Sequence, residues 1–97
     1  MNSIEILNQC AAVQAERGKE YGNDKERSFN QVATAFNAIT RKDLTAAEVA
    51  LLLQIVKDVR QWSADRLHED SVVDGVSYSS LKGELLFEQY YKPEVAA

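Results

Sequence analysis

The fold of this chain is decided by residues 45–74, which read TAAEVALLLQIVKDVRQWSADRLHEDSVVD. Thr45 and Glu48 have the spacing of a capping box, which predicts the start of a helix. The helix is expected to run over about 45–67, and its apolar positions recur at steps of three and four residues. One stripe of the helix consists of Val49, Leu52, Val56, Val59 and Ser63. Four further apolar residues widen it, namely Leu51, Leu53, Ile55 and Trp62. A surface this wide predicts either the central helix of a bundle or a helix that partly contacts another subunit.

The remaining chain predicts three more helices. Asn2 with Glu5 and Asn23 with Glu26 repeat the capping-box spacing, and apolar stripes follow over about 3–17 and 24–39. Phe29 and Phe36 are expected in the core. Residues 71–91 are also expected to be helical, with a strip of glycines and serines where another helix approaches closely. A hairpin turning on Asp74-Gly75 is the alternative, because Asp-Gly favours a tight turn.

These elements predict an all-α protein, a compact bundle of about four helices in one domain spanning 1–97, with 93–97 as a disordered tail. A chain of 97 residues builds only a small core, so we expect a homo-oligomer. The net charge of −4 argues against non-specific binding to nucleic acid. Cys10 is a lone cysteine, read as a small core residue in a reducing, cytoplasmic compartment, and no apolar run is long enough for a membrane span.

The candidate chemistry lies in the charged half of residues 45–74. Asp70 and Asp74 share one helical face and are candidate Mg²⁺ ligands, together with a carboxylate from another helix such as Glu48 or Asp58. Lys57 and Arg60 are the candidate binding residues for the phosphates of a substrate. His68 is a weaker candidate ligand. Alternatively, these charges form only a solvated face or a helix N-terminus that favours acids.

Several short motifs resemble a group of small helical proteins of unassigned function that are encoded mainly by phages and prophages. The resemblance covers about residues 4–86. Its motifs are Arg17, Tyr21-Gly22-Asn23, Ser28-Phe29, Val32-Ala33, Leu44-Thr45, residues 48–52, Lys57 with Arg60, residues 70–74 and Tyr78. Tyr21 and Tyr78 are candidate substrate-binding residues because they lie in these motifs. The chain departs from the group at Phe36, near which a tryptophan is usual, and at Ser77, where a glycine is usual.

That group in turn resembles, remotely, the MazG-like all-α nucleoside triphosphate pyrophosphatases, which hold Mg²⁺ with acidic residues from two helices. In this chain Glu48 lacks a second glutamate one turn further on, and Asp70 and Asp74 have a different spacing from the second acidic motif. The resemblance therefore implies a phage-type accessory protein in the bacterial host cytosol that binds a nucleotide with Mg²⁺, and favours binding over hydrolysis. The alternatives are a non-enzymatic protein that modulates a host protein, and a homo-oligomer that sequesters a nucleotide signal.

Overall fold

The computed structural model describes residues 1–21 and 28–91, without the side chains of 19–21. The regular elements of this part of the chain are four helices, named α1 (Ser3–Tyr21), α2 (Phe29–Thr40), α3 (Ala46–Ser63) and α4 (Glu69–Tyr90). The prediction of an all-α bundle of four helices is confirmed. The alternative of a hairpin at Asp74-Gly75 is wrong, because α4 continues through both residues. The predicted cap at residues 23–26, the predicted helix start at 24 and the predicted tail at 93–97 lie outside the described residues.

Two of the predicted capping boxes are present, and they set the starts of α1 and α3. The backbone N–H of Glu5 donates to Asn2 Oδ1 at 2.9 Å, and the N–H of Asn2 donates to Glu5 Oε1 at 3.1 Å. The same reciprocal pair joins Thr45 and Glu48, at 3.1 and 2.9 Å. Each box satisfies two N–H groups at its helix start that have no partner within the helix.

Two helix ends, those of α1 and α3, depart from prediction by about one turn. The predicted end of the first helix at residue 17 is wrong, since α1 continues through Gly18 to Tyr21. The predicted end of the third helix at residue 67 is also wrong. Its chain leaves the helical conformation at Ala64 (φ −87°, ψ 148°). The Gln61 side chain organises the turn that follows, because its Nε2 donates to the Arg66 carbonyl at 3.0 Å and its Oε1 accepts from the His68 N–H at 2.7 Å.

His68 begins α4 as its N-cap. The Ser71 N–H donates to its ring Nδ1 at 3.3 Å and also to its backbone carbonyl at 3.1 Å, so His68 supplies both acceptors of this donor at the helix start. The connection between α2 and α3 is closed by a side chain in the same way as the turn after α3. Asn37 Oδ1 accepts from the Leu44 N–H at 2.7 Å, and Asn37 Nδ2 donates to the Leu44 carbonyl at 2.9 Å.

The helices lie in the spatial order α1, α4, α3, α2. Backbone contacts join α3 to α4, α1 to α4 and α2 to α3 among the described residues. Since the connection between α3 and α4 is short, these two helices form an antiparallel hairpin at the centre of the molecule. The buried cluster that unites α2, α3 and α4 consists of Phe29, Ala33, Val49, Ala50 and Leu81. No helix of the described part of the chain is both long and apolar enough to cross a bilayer.

Large apolar residues of α3 face away from this cluster, and the alternative that part of α3 contacts another subunit stays a prediction. Leu52, Val56 and Val59 are 50%, 43% and 57% exposed, whereas the small residues Ala47 and Ala50 are buried. Small side chains allow two helix backbones to approach closely, and α3 packs through them. Phe36 was also predicted in the core, but it is 36% exposed because α2 packs through another face, which carries Phe29 and Ala33.

Helix α3 packs against α4 at Gly75. A Cβ built on Gly75 would make ordinary van der Waals contacts, at 3.7 Å from Asp58 Oδ1 and 3.8 Å from Lys57 Cβ. On another side of α4, helix α1 packs against serines. Gln14 Nε2 donates to the hydroxyls of Ser77 and Ser80, both at 2.9 Å. The predicted strip of small residues in α4 therefore does accommodate neighbouring helices.

Candidate functional site

An ion pair crosses the α3–α4 hairpin and forms the centre of the candidate site. Lys57 Nζ lies 3.2 Å from Asp74 Oδ2, and the two side chains are only 17% and 25% exposed. Lys57 belongs to the fourth turn of α3 and Asp74 to the second turn of α4. The short connection places these turns side by side, so two residues that are distant in sequence become neighbours. The structure thus brings together one candidate phosphate-binding residue and one candidate metal ligand.

Arg60 and Asp70 extend this pair toward the helix connection. Arg60 follows Lys57 by three residues, and Asp70 precedes Asp74 by four, so each lies one helical turn from a member of the pair. Because α3 and α4 are antiparallel, both steps go in the same direction. Arg60 and Asp70 are exposed. These four residues, Lys57, Arg60, Asp70 and Asp74, are called the charged face below.

The buried Cys10 of α1 lies near the charged face. Its Sγ donates to the Val73 carbonyl at 3.2 Å. Burial raises the pKa of the Cys10 thiol above its ordinary value of 9.0, and the negative charge of Asp74 raises it further, while a hydrogen bond from the Ser77 backbone acts in the opposite direction. The prediction that Cys10 is a small core residue is confirmed, and its raised pKa argues against a nucleophilic role at neutral pH.

Glu48, the third candidate metal ligand, lies at the opposite end of the hairpin. Nine residues of α3 separate it from Lys57, which corresponds to about 13 Å along the helix axis. Its carboxylate accepts the capping-box hydrogen bond from Thr45, and it lines a separate cavity of about 360 Å³ with Lys82 and Leu86. Within the described residues, no three His, Cys, Asp or Glu side chains are grouped closely enough to hold a metal ion. One subunit therefore does not bring Glu48 together with Asp70 and Asp74.

The two candidate tyrosines lie on different helices, Tyr78 on α4 and Tyr21 on α1. Tyr78 is half-buried and packs against the central apolar cluster. Its position on α4, one turn after Asp74, brings it close to the charged face, but much of its ring area belongs to the core. Tyr21 is the last residue of α1, and its side chain is outside the described structure.

A groove opens on the other side of the hairpin. Its volume is about 590 Å³, and it is lined by Leu7, Gln54, Asp58, Gln61, Trp62, Ser71, Val72, Gly75, Val76, Ser79 and Ser80. Val72 and Val76 are each two residues from Asp74, and residues two apart in an α-helix point roughly 160° apart. The groove and the charged face thus lie on opposite sides of α4.

Sequence analysis did not single out this groove, although α3 carries a signal for it. Gln54, Asp58 and Gln61 recur at steps of four and three, so they form a polar line along one side of α3. Ser71 lies in the groove wall, and its buried hydroxyl has no hydrogen-bond partner among the described residues. Trp62 lies at the rim and is 86% exposed, although its position in the sequence predicted packing.

Comparisons with known proteins give a family but not an activity. No curated protein and no solved structure matches this chain. Residues 5–86, which include α2, α3, the charged face and most of α1 and α4, match the family described as a domain of unknown function, DUF6378. The match covers far more than half of the chain, and this protein therefore belongs to the DUF6378 family.

Proposed function

We propose that this protein binds a nucleotide through the charged face, without hydrolysing it. The observation that supports the proposal is the Lys57–Asp74 pair, a cation and an anion held 3.2 Å apart across two helices. A phosphate group with its bound Mg²⁺ presents the complementary pair of charges. The ammonium of Lys57 suits the phosphate, and the carboxylate of Asp74 suits the metal ion. The ligand would therefore replace the Lys57–Asp74 pair by a lysine–phosphate pair and a carboxylate–metal pair.

Arg60 and Asp70 fit the same chemistry. Arg60 adds a guanidinium, which can hold a phosphate through two parallel hydrogen bonds. Asp70 adds a second carboxylate one turn from Asp74. Mg²⁺ in proteins often takes only one or two carboxylates and completes its ligands with water and substrate phosphates. Asp70 and Asp74 suit an ion that arrives with the nucleotide rather than one held permanently by the protein.

Binding is favoured over hydrolysis because the acidic residues of one subunit are divided between two ends of the hairpin. A pyrophosphatase that resembles the MazG-like enzymes would need carboxylates from two helices around the same phosphates. Here Glu48 lies about 13 Å from Lys57 along α3 and takes part in a capping box. A nucleotide-sequestering protein in the bacterial cytosol fits this arrangement better than an enzyme.

Modulation of a host protein is the second candidate function. The observation that favours it is the apolar outward face of α3, which includes Trp62 at 86% exposed. An apolar surface of this kind commonly marks a protein-binding site. This face also suits a second copy of the chain, so nucleotide binding is the function that we propose.

Isothermal titration of the full chain with each ribonucleoside and deoxyribonucleoside triphosphate, with and without Mg²⁺, tests the proposal. We expect at least one nucleotide to bind, more tightly with Mg²⁺, and no release of pyrophosphate or phosphate during long incubation. Failure of every nucleotide to bind under both conditions would overturn the proposal. Measurable turnover would overturn its non-catalytic part.

Matched variants locate the binding site. Arg60→Met removes an exposed cation from the charged face and is expected to weaken nucleotide binding at least tenfold without changing the helical content. Lys82→Met is the control, because it also removes one cation, but from a position about two helical turns beyond Asp74, where Lys82 Nζ donates to Gln54 Oε1 at 2.9 Å. Equal loss of affinity in both variants would show that binding depends on overall charge and not on this site.

A further inference from the structure

The outward face of α3 is apolar along nearly its whole length. Its large side chains are all between 40% and 86% exposed, and they are Leu51, Leu52, Ile55, Val56, Val59 and Trp62. They recur at steps of three and four, so they form one continuous stripe on the side opposite the buried alanines. The stripe runs from Leu51 to Trp62, which corresponds to about 17 Å along the helix axis. This set of six residues is called the α3 stripe below.

Charged residues of α3 point away from the middle of the stripe. Lys57 pairs with Asp74 of α4, and Asp58 lines the groove. Arg60 belongs to the charged face. Glu48 lies on the outward side, but at the N-terminal end of the helix and within its capping box. The central turns of the outward face therefore carry Leu52, Ile55, Val56 and Val59 without a charge among them.

This absence of charge from the middle of the stripe is the pattern that a symmetric partner requires. In a two-fold interface, each residue near the axis meets the same residue of the partner. A charge at that place meets its own sign, whereas an apolar side chain is complementary to its own copy. A foreign partner imposes no such restriction, and interfaces with foreign proteins commonly use charged residues for specificity.

The available area also suits a second copy. Covering the exposed parts of the six side chains would bury roughly 600 Å² per chain. A standard interface buries about 800 Å² per partner, and rim residues supply the difference. The chain has a reason to use this area, because its described part buries few large apolar side chains. Small domains with small cores gain stability from association.

We propose that a second copy of this chain docks on the α3 stripe, with the two α3 helices antiparallel about a two-fold axis near Ile55. Trp62 at one end of the stripe lies in both the stripe and the groove rim, so docking covers the indole ring and encloses the groove on the α3 side. The charged face is on the other side of the hairpin and stays accessible. This inference therefore does not depend on nucleotide binding.

Sedimentation equilibrium of the full chain, from micromolar to hundreds of micromolar concentration, measures the mass of the species in solution and so tests the proposal. We expect twice the chain mass of 10.9 kDa. Ile55→Glu and Ile55→Lys each place two like charges near the axis, and each is expected to give a folded monomer with unchanged far-ultraviolet circular dichroism. An equimolar mixture of the two variants should recover the dimer, because each interface then contains one acid and one base. A foreign partner would not produce this rescue.

Trp62 provides a second signal, because it is the only tryptophan of the chain. Its emission should move to shorter wavelength as wild-type protein associates, and should stay at the solvent-exposed position in Ile55→Glu. Ile39→Glu is the control, since Ile39 is an apolar residue of α2 that is 83% exposed and lies outside the stripe. A wild-type monomer at all concentrations, or dimers that persist in Ile55→Glu, would overturn the proposal; loss of the dimer in Ile39→Glu alone would place the interface on α2.

Discussion

Removing either partner of the Lys57–Asp74 ion pair is predicted to destabilise the fold, and the two losses are predicted to be non-additive. Lys57→Met keeps the length of the side chain and removes its charge, and Asp74→Asn keeps its shape. Each single variant leaves one partly buried charge without its partner. The double variant leaves neither charge, so it should lose less stability than the two single variants together.

The magnitude of this coupling follows from the burial of the pair. Exposed ion pairs contribute about 0.2–1 kcal/mol, and breaking a fully buried pair costs about 3–5 kcal/mol. Lys57 and Asp74 keep 17% and 25% of their side-chain surface exposed, which places them between these limits. We therefore expect each single variant to lose about 1–2 kcal/mol of unfolding free energy, with a coupling energy of about 1 kcal/mol.

Urea unfolding of the four proteins, followed by far-ultraviolet circular dichroism at one protein concentration, measures the cycle. Constant concentration is required because association would add to the apparent stability. The coupling energy should fall only in part when the salt concentration is raised to about 1 M, since burial limits screening. Arg60→Met is the control, as Arg60 makes no ion pair with any described residue; its effect should stay within about 0.5 kcal/mol. A coupling energy within about 0.3 kcal/mol of zero would refute the reasoning.

Three further predictions concern stability. Gly83→Ala should raise the unfolding free energy by about 0.5–1 kcal/mol in urea titrations, because a Cβ there meets no atom within 4 Å and alanine favours the helix; a loss would show hidden strain. Asn37→Ala should cost about 1–2 kcal/mol in the same assay, because it removes both hydrogen bonds that close the α2–α3 connection, while Asn8→Ala on the exposed side of α1 should cost far less. The thiol pKa of Cys10 is higher in the folded than in the unfolded chain, so the native state binds this proton more tightly. The unfolding free energy should therefore fall as pH rises above 9.0 through the folded pKa. Urea titrations of Cys10→Ala should show a smaller fall with pH, and an equal fall would contradict this origin.

Local signals predicted the helices well because their causes are local. A capping box needs only two residues three apart, so Asn2 with Glu5 and Thr45 with Glu48 were recognisable in the sequence, and both form. The end of α3 was not recognisable. It depends on Gln61, whose side chain bonds to groups five and seven residues further along the chain. A glutamine in a helix carries no such indication until the turn itself exists.

The candidate site was predicted in part. Lys57 and Asp74 are distant in sequence, and their side chains meet because the short helix connection places α3 and α4 side by side. Glu48 was grouped with them on residue type alone, but the antiparallel hairpin places it at the far end. The groove was missed because its lining comes from three helices, and the positions that contribute to it depend on how those helices rotate about their axes.

The sequence by itself determined the helices, two of their capped starts and the presence of apolar faces, because periodicity and capping act over a few residues. Only the tertiary structure decided which apolar face of α3 is buried. Leu52, Val56 and Val59 form as good a stripe as the buried residues do, and periodicity cannot distinguish two stripes on one helix. The small alanines of α3 let its backbone approach the neighbouring helices, so these side chains face inward and the large ones remain outside.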